Sequence, residues 1–423
     1  MEYRAYNIKS FKKIPQIQKY VSPKDIEDIE IAALVFPFKV NNYVVDKLID
    51  WENYRDDPIF RLVFPHKDML LPEHYERLKK LKEKGDEAEL KKAIYEIRMS
   101  LNPHPADQKS NIPEIDGKKL EGSQHKYKET ILFFPKQGQT CHAYCSFCFR
   151  WPQFTGMNEL KFAMKEVDLL IEYIKAHPTI TDLIFTGGDP LIMSTKLLRS
   201  YVEPILKADI PHLKNIRFGT KTLGFWPYRF TEDSDAEDLL RLFEEIVESG
   251  YHLAFMAHFN HPKELQTDEV KEAVKRILKT GAIIRTQAPI LKHINDSAEV
   301  WARMWKEQVA MNMIPYYMFI ARDTGAQHYF GVPLVRAWKI FKEAISQVSG
   351  LARTVRGPSM SASPGKVAIS GVTEIEGKKV IALTMLQAKN PELVDIPFFA
   401  EYDEEAQWIT DLKPAFAKKF IFD

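Results

Sequence analysis

Six short apolar runs, each followed by a stretch of helical periodicity, constrain this chain more than any other feature. They fall at residues 131–134, 180–185, 216–218, 253–256, 283–287 and 316–320, one about every 30 to 40 residues. Two of the intervening helices are well marked. Thr267 can cap a stripe of Val270, Ala273, Val274, Ile277 and Leu278 that Gly281 ends, and Leu239, Leu240, Phe243, Ile246 and Val247 form a second stripe before Gly250. Strands alternating with helices predict right-handed βαβ units and a parallel sheet. Six units are too few for a closed eight-unit barrel, so the expected class is α/β with a partial (β/α)6 barrel over residues 125–349. In such a sheet the functional loops lie beyond the carboxyl ends of the strands.

The flanks read differently. Within 1–124, Leu78, Leu81, Leu90, Ile94 and Ile97 recur among dense Lys and Glu, the pattern of peripheral amphipathic helices, with Gly85-Asp86 as a break. Residues 101–124 are rich in Pro, Asp, Lys and Gly and read as a linker. Strand-like runs at 367–370 and 379–383 predict a small α+β segment over 350–423. Fifty-nine basic residues balance fifty-eight acidic ones, which argues against nucleic acid or an anionic membrane as a partner. The N-terminus has no apolar signal region, and no run of about eighteen apolar residues follows. The expectation is a soluble, cytoplasmic protein.

The chain has three cysteines, Cys141, Cys145 and Cys148, within eight positions just past the first predicted strand. Three cysteines make no disulfide framework, so metal or cluster ligation is the live option. Zinc ordinarily takes a fourth protein ligand. A four-iron cluster on three thiolates keeps one iron open. A mononuclear site completed by His142 or by a partner is the remaining alternative.

The spacing C-x3-C-x2-C, with Phe147 before the last cysteine, resembles the signature of the radical S-adenosylmethionine (SAM) superfamily, whose fold is a partial (β/α)6 barrel. The resemblance implies a [4Fe-4S] cluster on Cys141, Cys145 and Cys148, with SAM chelating the open iron and yielding a 5′-deoxyadenosyl radical. Gly187, Gly188, Asp189 and Pro190 follow the second predicted strand. Alone they are a plain turn; at this position they resemble the motif that binds the SAM amino group.

Together with His258-Phe259-Asn260-His261-Pro262, Gln287, Ile294-Asn295-Asp296, Pro315-Tyr316-Tyr317 and Pro364-Gly365-Lys366, these motifs are similar in order and spacing to the lysine 2,3-aminomutase family over roughly residues 125–370. The resemblance implies an isomerase that moves an amino group from Cα to Cβ of an amino acid held on pyridoxal phosphate (PLP). Lys366 would be the catalytic Schiff-base lysine, and Arg150 would clamp the substrate carboxylate. His258 and Gln287 would line the SAM pocket, Tyr127 would belong to the phosphate-binding segment, and Asp296 would be the first of two aspartates for a distal ammonium. It also implies a small reductant protein such as flavodoxin or ferredoxin. Without the family context, Lys366 reads as a solvated turn.

Departures accompany the match. The phosphate segment 126–130 keeps one cation, Lys126, and loses another unless Lys128 substitutes. The second aspartate falls in 354–358, where no acid stands and Arg356 does, so a substrate with an acidic or neutral distal group fits better than L-lysine. The family's C-terminal zinc cysteines are absent, so a zinc-linked oligomer is not expected, and homo-oligomerisation stays open. The alternatives are a PLP-independent radical SAM enzyme and a non-catalytic cluster or zinc protein.

Overall fold

The computed structural model describes residues 1–103, 110–157 and 162–423. Residues 104–109, which contributed to the linker reading of 101–124, lie outside the described residues. The architecture is one eleven-stranded sheet whose neighbours follow chain order throughout. Its strands are β1 (Ser123–Tyr127), β2 (Thr130–Phe133), β3 (Asp182–Phe185), β4 (Asn215–Thr220), β5 (His252–His258), β6 (Ile283–Ile290), β7 (Ile314–Ile320), β8 (Arg356–Ser361), β9 (Gly365–Ile375), β10 (Lys378–Ala388) and β11 (Pro397–Glu401). β2 through β8 pair in parallel, while β1 at one edge and β9 to β11 at the other are antiparallel. The sheet does not close on itself, since β1 and β11 are its two edges.

Six helices make the crossovers: α1 (Val167–Ala176), α2 (Thr195–Lys207), α3 (Ala236–Glu248), α4 (Asp268–Lys279), α5 (Ala298–Ala310) and α6 (Leu334–Ser346). α4 begins where expected, because the Thr267 side chain accepts the Val270 N–H at 3.3 Å, and it buries Val270, Ala273, Val274 and Ile277. Gly281 just beyond it takes φ +83°, a conformation that penalises any side chain with a Cβ. The six predicted strands are β2 to β7.

β8 is a seventh parallel strand that the pattern did not reveal. It runs on from the barrel strands, and β9 and β10 extend the same sheet as a hairpin turning at Glu376 and Gly377, both at positive φ. The strands after residue 350 are thus continuous with the sheet.

Strand register sorts the core from the site. Phe133, Phe185, Phe218 and Phe255 are register partners across β2 to β5, all fully buried, and their rings meet at 5.2 to 5.9 Å on the helix side. The preceding positions, Leu132, Ile184 and Arg217, share the opposite face and line a cavity inside the curved sheet.

The N-terminal region is mostly helical, as its periodicity suggests, and Gly85 (φ +71°) breaks the helices Pro72–Lys84 and Glu87–Ser100. It is not merely peripheral. A two-stranded ladder of Ala5–Asn7 with Lys39–Asn41 lies against the cysteine loop. Among the described residues no helix is long and apolar enough to cross a membrane.

Candidate active site

The cysteine loop is held from outside by the N-terminal region. The Tyr144 N–H donates to the Lys39 carbonyl at 2.8 Å, and the Ser146 N–H to that of Leu62 at 2.8 Å. Lys39 Nζ donates to the Cys141 carbonyl at 2.7 Å, while Tyr3 Oη (2.9 Å) and Asn41 Nδ2 (3.3 Å) donate to that of His142. These bonds join segments about a hundred residues apart, so the loop's shape is a tertiary property. His142 itself turns away from the thiols. Its buried ring stacks on Trp226, and its Nδ1 lies 3.2 Å from Thr222 Oγ1. It is therefore not placed to complete a mononuclear site.

The three cysteines are free and keep partial exposure, yet burial pushes the Cys148 thiol up to about 11 and raises those of Cys141 and Cys145 well above their ordinary value. Cys141 is raised further by the other two, so the sulfurs are close enough to repel one another when ionised. Three buried thiolates of that kind need a cationic centre among them. Among the described residues no three His, Cys, Asp or Glu side chains gather as for a single metal ion. The donor set, three soft thiolates and no fourth, fits a cluster with one iron unclaimed by protein.

The Thr186–Leu191 turn follows β3 and serves the same loop. A Cβ on Gly188 would stand 2.5 Å from the Thr140 backbone N and O, and Gly187 takes φ +131° against the Gln139 side chain. Only glycines let the chain ahead of Cys141 approach so closely. Asp189, Pro190 and Leu191 are buried. The Asp189 N–H donates to the Thr140 carbonyl at 2.7 Å. Its carboxylate accepts from the Leu191 N–H (3.1 Å), the Lys221 N–H (2.8 Å) and the Thr220 hydroxyl (2.8 Å). Asp189 thus ties the turn to the end of β4, and its acceptor capacity is largely taken up by protein donors.

Beside the loop, a cavity of about 250 Å³ brings Phe147, His258 and Gln287 together. His258, at the end of β5, meets the Phe147 ring edge-on at 5.6 Å. Its Nε2 is buried without a partner, and burial pushes the imidazole well below its usual value, so it is neutral. Gln287 also borders the cavity of about 290 Å³ on the inner face of the sheet, which holds Tyr127, Arg150 and Lys366.

Lys366, on β9, points its Nζ over the Tyr317 ring at 3.9 Å. Burial, with Arg217, Lys126 and Arg356 nearby, brings its amine down to about 7. Arg150 is buried, stacked over Phe134 at 4.2 Å, and its Nη1 has no hydrogen-bond partner. Burial is the main cause lowering its guanidinium to about 9, with Arg322 adding to it. A buried unpaired guanidinium calls for an anion.

Two expectations are corrected. Lys128 does not substitute for the missing phosphate cation: its carbonyl sits 3.2 Å from His125 Nε2, and it does not line the cavity. Arg217, from β4, lines the cavity instead, held by Asp182 through Nε–H···Oδ1 at 2.8 Å and a second contact. Lys126 stays in the cavity, donating to the Ala362 carbonyl beside Tyr127. Asp296 is not brought to the cavity either. It lies 3.7 Å from Arg336 of α6, partly exposed, because the loop after β6 carries it away. Arg322, just past β7, does line the cavity. Neither Arg217 nor Arg322 stood out from sequence. For Arg217, an arginine at an inward strand position was the only available signal.

An open parallel sheet with a three-thiol loop after its first parallel strand, and its cavities bordered by inner-face residues of the parallel strands, marks a radical SAM enzyme. No family model matches the chain. A protein of Aquifex aeolicus (strain VF5), provisionally named L-lysine 2,3-aminomutase, is 33% identical over 408 residues, covering 96% of this chain and 93% of that one. The L-lysine 2,3-aminomutase of Fusobacterium nucleatum is 29% identical over 269 residues, 63% of this chain and 60% of its own. Among solved structures, native anSMEcpe with bound AdoMet aligns at a TM-score of 0.38 and 14% identity over 51% of this chain and 59% of that chain. The chain belongs to the lysine 2,3-aminomutase family of the radical SAM superfamily.

Proposed function

We propose that this protein is a radical SAM, PLP-dependent amino acid 2,3-aminomutase. The observation that carries the reading is a single cavity, beside the thiol loop, holding both a near-neutral buried lysine and an unpaired buried arginine. When bound, the cluster with SAM supplies one-electron hydrogen abstraction, and PLP supplies a conjugated carbonyl partner for an amino group.

The protein's own residues divide the rest. Cys141, Cys145 and Cys148 would hold the cluster, and Phe147, His258 and Gln287 would wall the SAM side. Lys366, half neutral near pH 7, is the amine able to attack the PLP carbonyl. Tyr127, with Lys126 and Arg217, forms the cationic side suited to its phosphate. Arg150 offers a planar fork to the substrate carboxylate and fixes which end of the amino acid enters first. The enclosing sheet keeps water from the reacting atoms.

Anaerobically reconstituted protein, reduced and given SAM, PLP and a panel of L-amino acids, should form the β-amino isomer of at least one. Lys366→Ala should remove both turnover and the visible absorbance of bound PLP. Turnover that persists in Lys366→Ala would replace this reading with a PLP-independent one.

A further inference from the structure

Each cysteine of the loop feels a different cation. Lys39 acts on Cys141, Lys221 on Cys145 and Arg150 on Cys148, in each case favouring the thiolate. The three cations are not equivalent. Lys221 Nζ donates to the fully buried carboxylate of Glu264 at 2.5 Å, and Glu264 opposes it at Cys145. Arg150 faces the larger cavity, where an anionic substrate group would cancel its charge. Lys39 stands between the N-terminal ladder and the loop, half-buried. Its Nζ donates to the Cys141 carbonyl at 2.7 Å and to Thr140 Oγ1 at 3.5 Å. Among the described residues no carboxylate pairs with it, and Cys141 is the group that opposes the lowering of its amine by burial.

If the cluster reading above holds, three thiolates carry a core with two positive charges, so the site is a net monoanion. One electron from an external one-electron donor makes it a dianion, with no proton taken up. A fixed positive charge nearby favours the dianion over the monoanion, and it does so more strongly beside buried thiolates than it would in water. We infer that Lys39 sets the reduction potential of the cluster: an ammonium without a carboxylate partner, lent by the N-terminal region, raises the potential and brings it within reach of the donor. Lys39 acts through the cluster, as a positioning residue, by its charge and not by the hydrogen bond to Cys141 alone. The N-terminal ladder thereby gives the loop a charge as well as a shape.

The test is a redox titration of the reconstituted holoprotein without SAM, followed by visible absorbance and by the EPR signal of the reduced cluster. Lys39→Gln keeps a donor and removes the charge. It should lower the equilibrium constant for reduction at least about tenfold, about 59 mV for one electron, with iron and sulfide content unchanged. Lys39→Arg keeps the charge and should stay within about threefold of the wild type. Should Lys39→Gln hold less iron, Lys39→acetyl-lysine keeps an N–H donor on nearly the same stem, removes only the charge, and should give the same drop.

The inference is overturned by four-iron Lys39→Gln or acetyl-lysine protein whose equilibrium constant stays within about twofold of the wild type. It is equally overturned by Lys39→Arg protein that falls as far as Lys39→Gln, which would make the role one of shape. Both results leave the cluster reading intact, because a titratable cluster is present in each. Wild-type protein that assembles no cluster rejects that reading, and the inference with it.

Discussion

The amine of Lys366 departs strongly from an ordinary lysine, and its behaviour is measurable in solution. An unperturbed lysine amine, at 10.5, is neutral in only about one molecule in three thousand at pH 7. With the amine near 7, from burial and from Arg217, Lys126 and Arg356, about half is neutral there, roughly a thousandfold gain in the form that attacks a carbonyl. Brief incubation with PLP, borohydride reduction and peptide mapping across pH 6 to 10 should therefore give capture at Lys366 with a midpoint near 7, while surface lysines react only above about pH 9. The sign of a neighbour's effect follows. Lys126→Gln removes a positive charge that disfavours the ammonium, so the midpoint should move up and capture at pH 7 should fall. A wild-type midpoint above about 9, or a midpoint that falls in Lys126→Gln, would refute this account of the cavity.

Three further outcomes follow from the loop and its surroundings. Asn41→Ala removes a buried amide that donates to the Phe225 (2.8 Å) and His142 (3.3 Å) carbonyls; it should lower stability by about 1–3 kcal/mol and speed loss of cluster iron to a chelator. Gly188→Ala places a methyl 2.5 Å from the Thr140 backbone, and overpacking of about 1–3 kcal/mol should appear as a lower melting temperature and low iron content. Asp296→Asn alters only a partly exposed pair with Arg336, so steady-state kinetics should show an unchanged KM, and melting should report no more than about 1 kcal/mol.

Much of the barrel was legible because its signal is local. Each of β2 to β7 announces itself through a run of apolar residues, and Thr267 and Gly281 mark their helix within a few positions. The thiol spacing is local too. β8 was not legible, because Gly357 and Pro358 interrupt any apolar run in Arg356–Ser361, and its parallel pairing with β7 is set by the tertiary fold. Arg322 lies in the loop past β7, where no periodicity marks a side chain's direction, and Arg217 was missed for a related reason. An inward arginine is distinguished from an outward one only by register, and register exists only once strands pair. Asp296 shows the converse failure, since its place in a motif says nothing about where the loop after β6 carries its carboxylate. The hold of Lys39, Asn41 and Leu62 on the cysteine loop spans too much chain for any periodicity to show.

The central claim is that three thiols grip an iron–sulfur cluster and leave one iron for SAM. Its most direct measurement is anaerobic reconstitution, followed by iron and sulfide analysis and reduction in the presence of SAM. The account predicts four irons and four sulfides per chain, lost when any of Cys141, Cys145 or Cys148 becomes Ala, and release of 5′-deoxyadenosine on reduction. Zinc at a stoichiometry of one, or an intact reduced cluster that leaves SAM uncleaved, would contradict it.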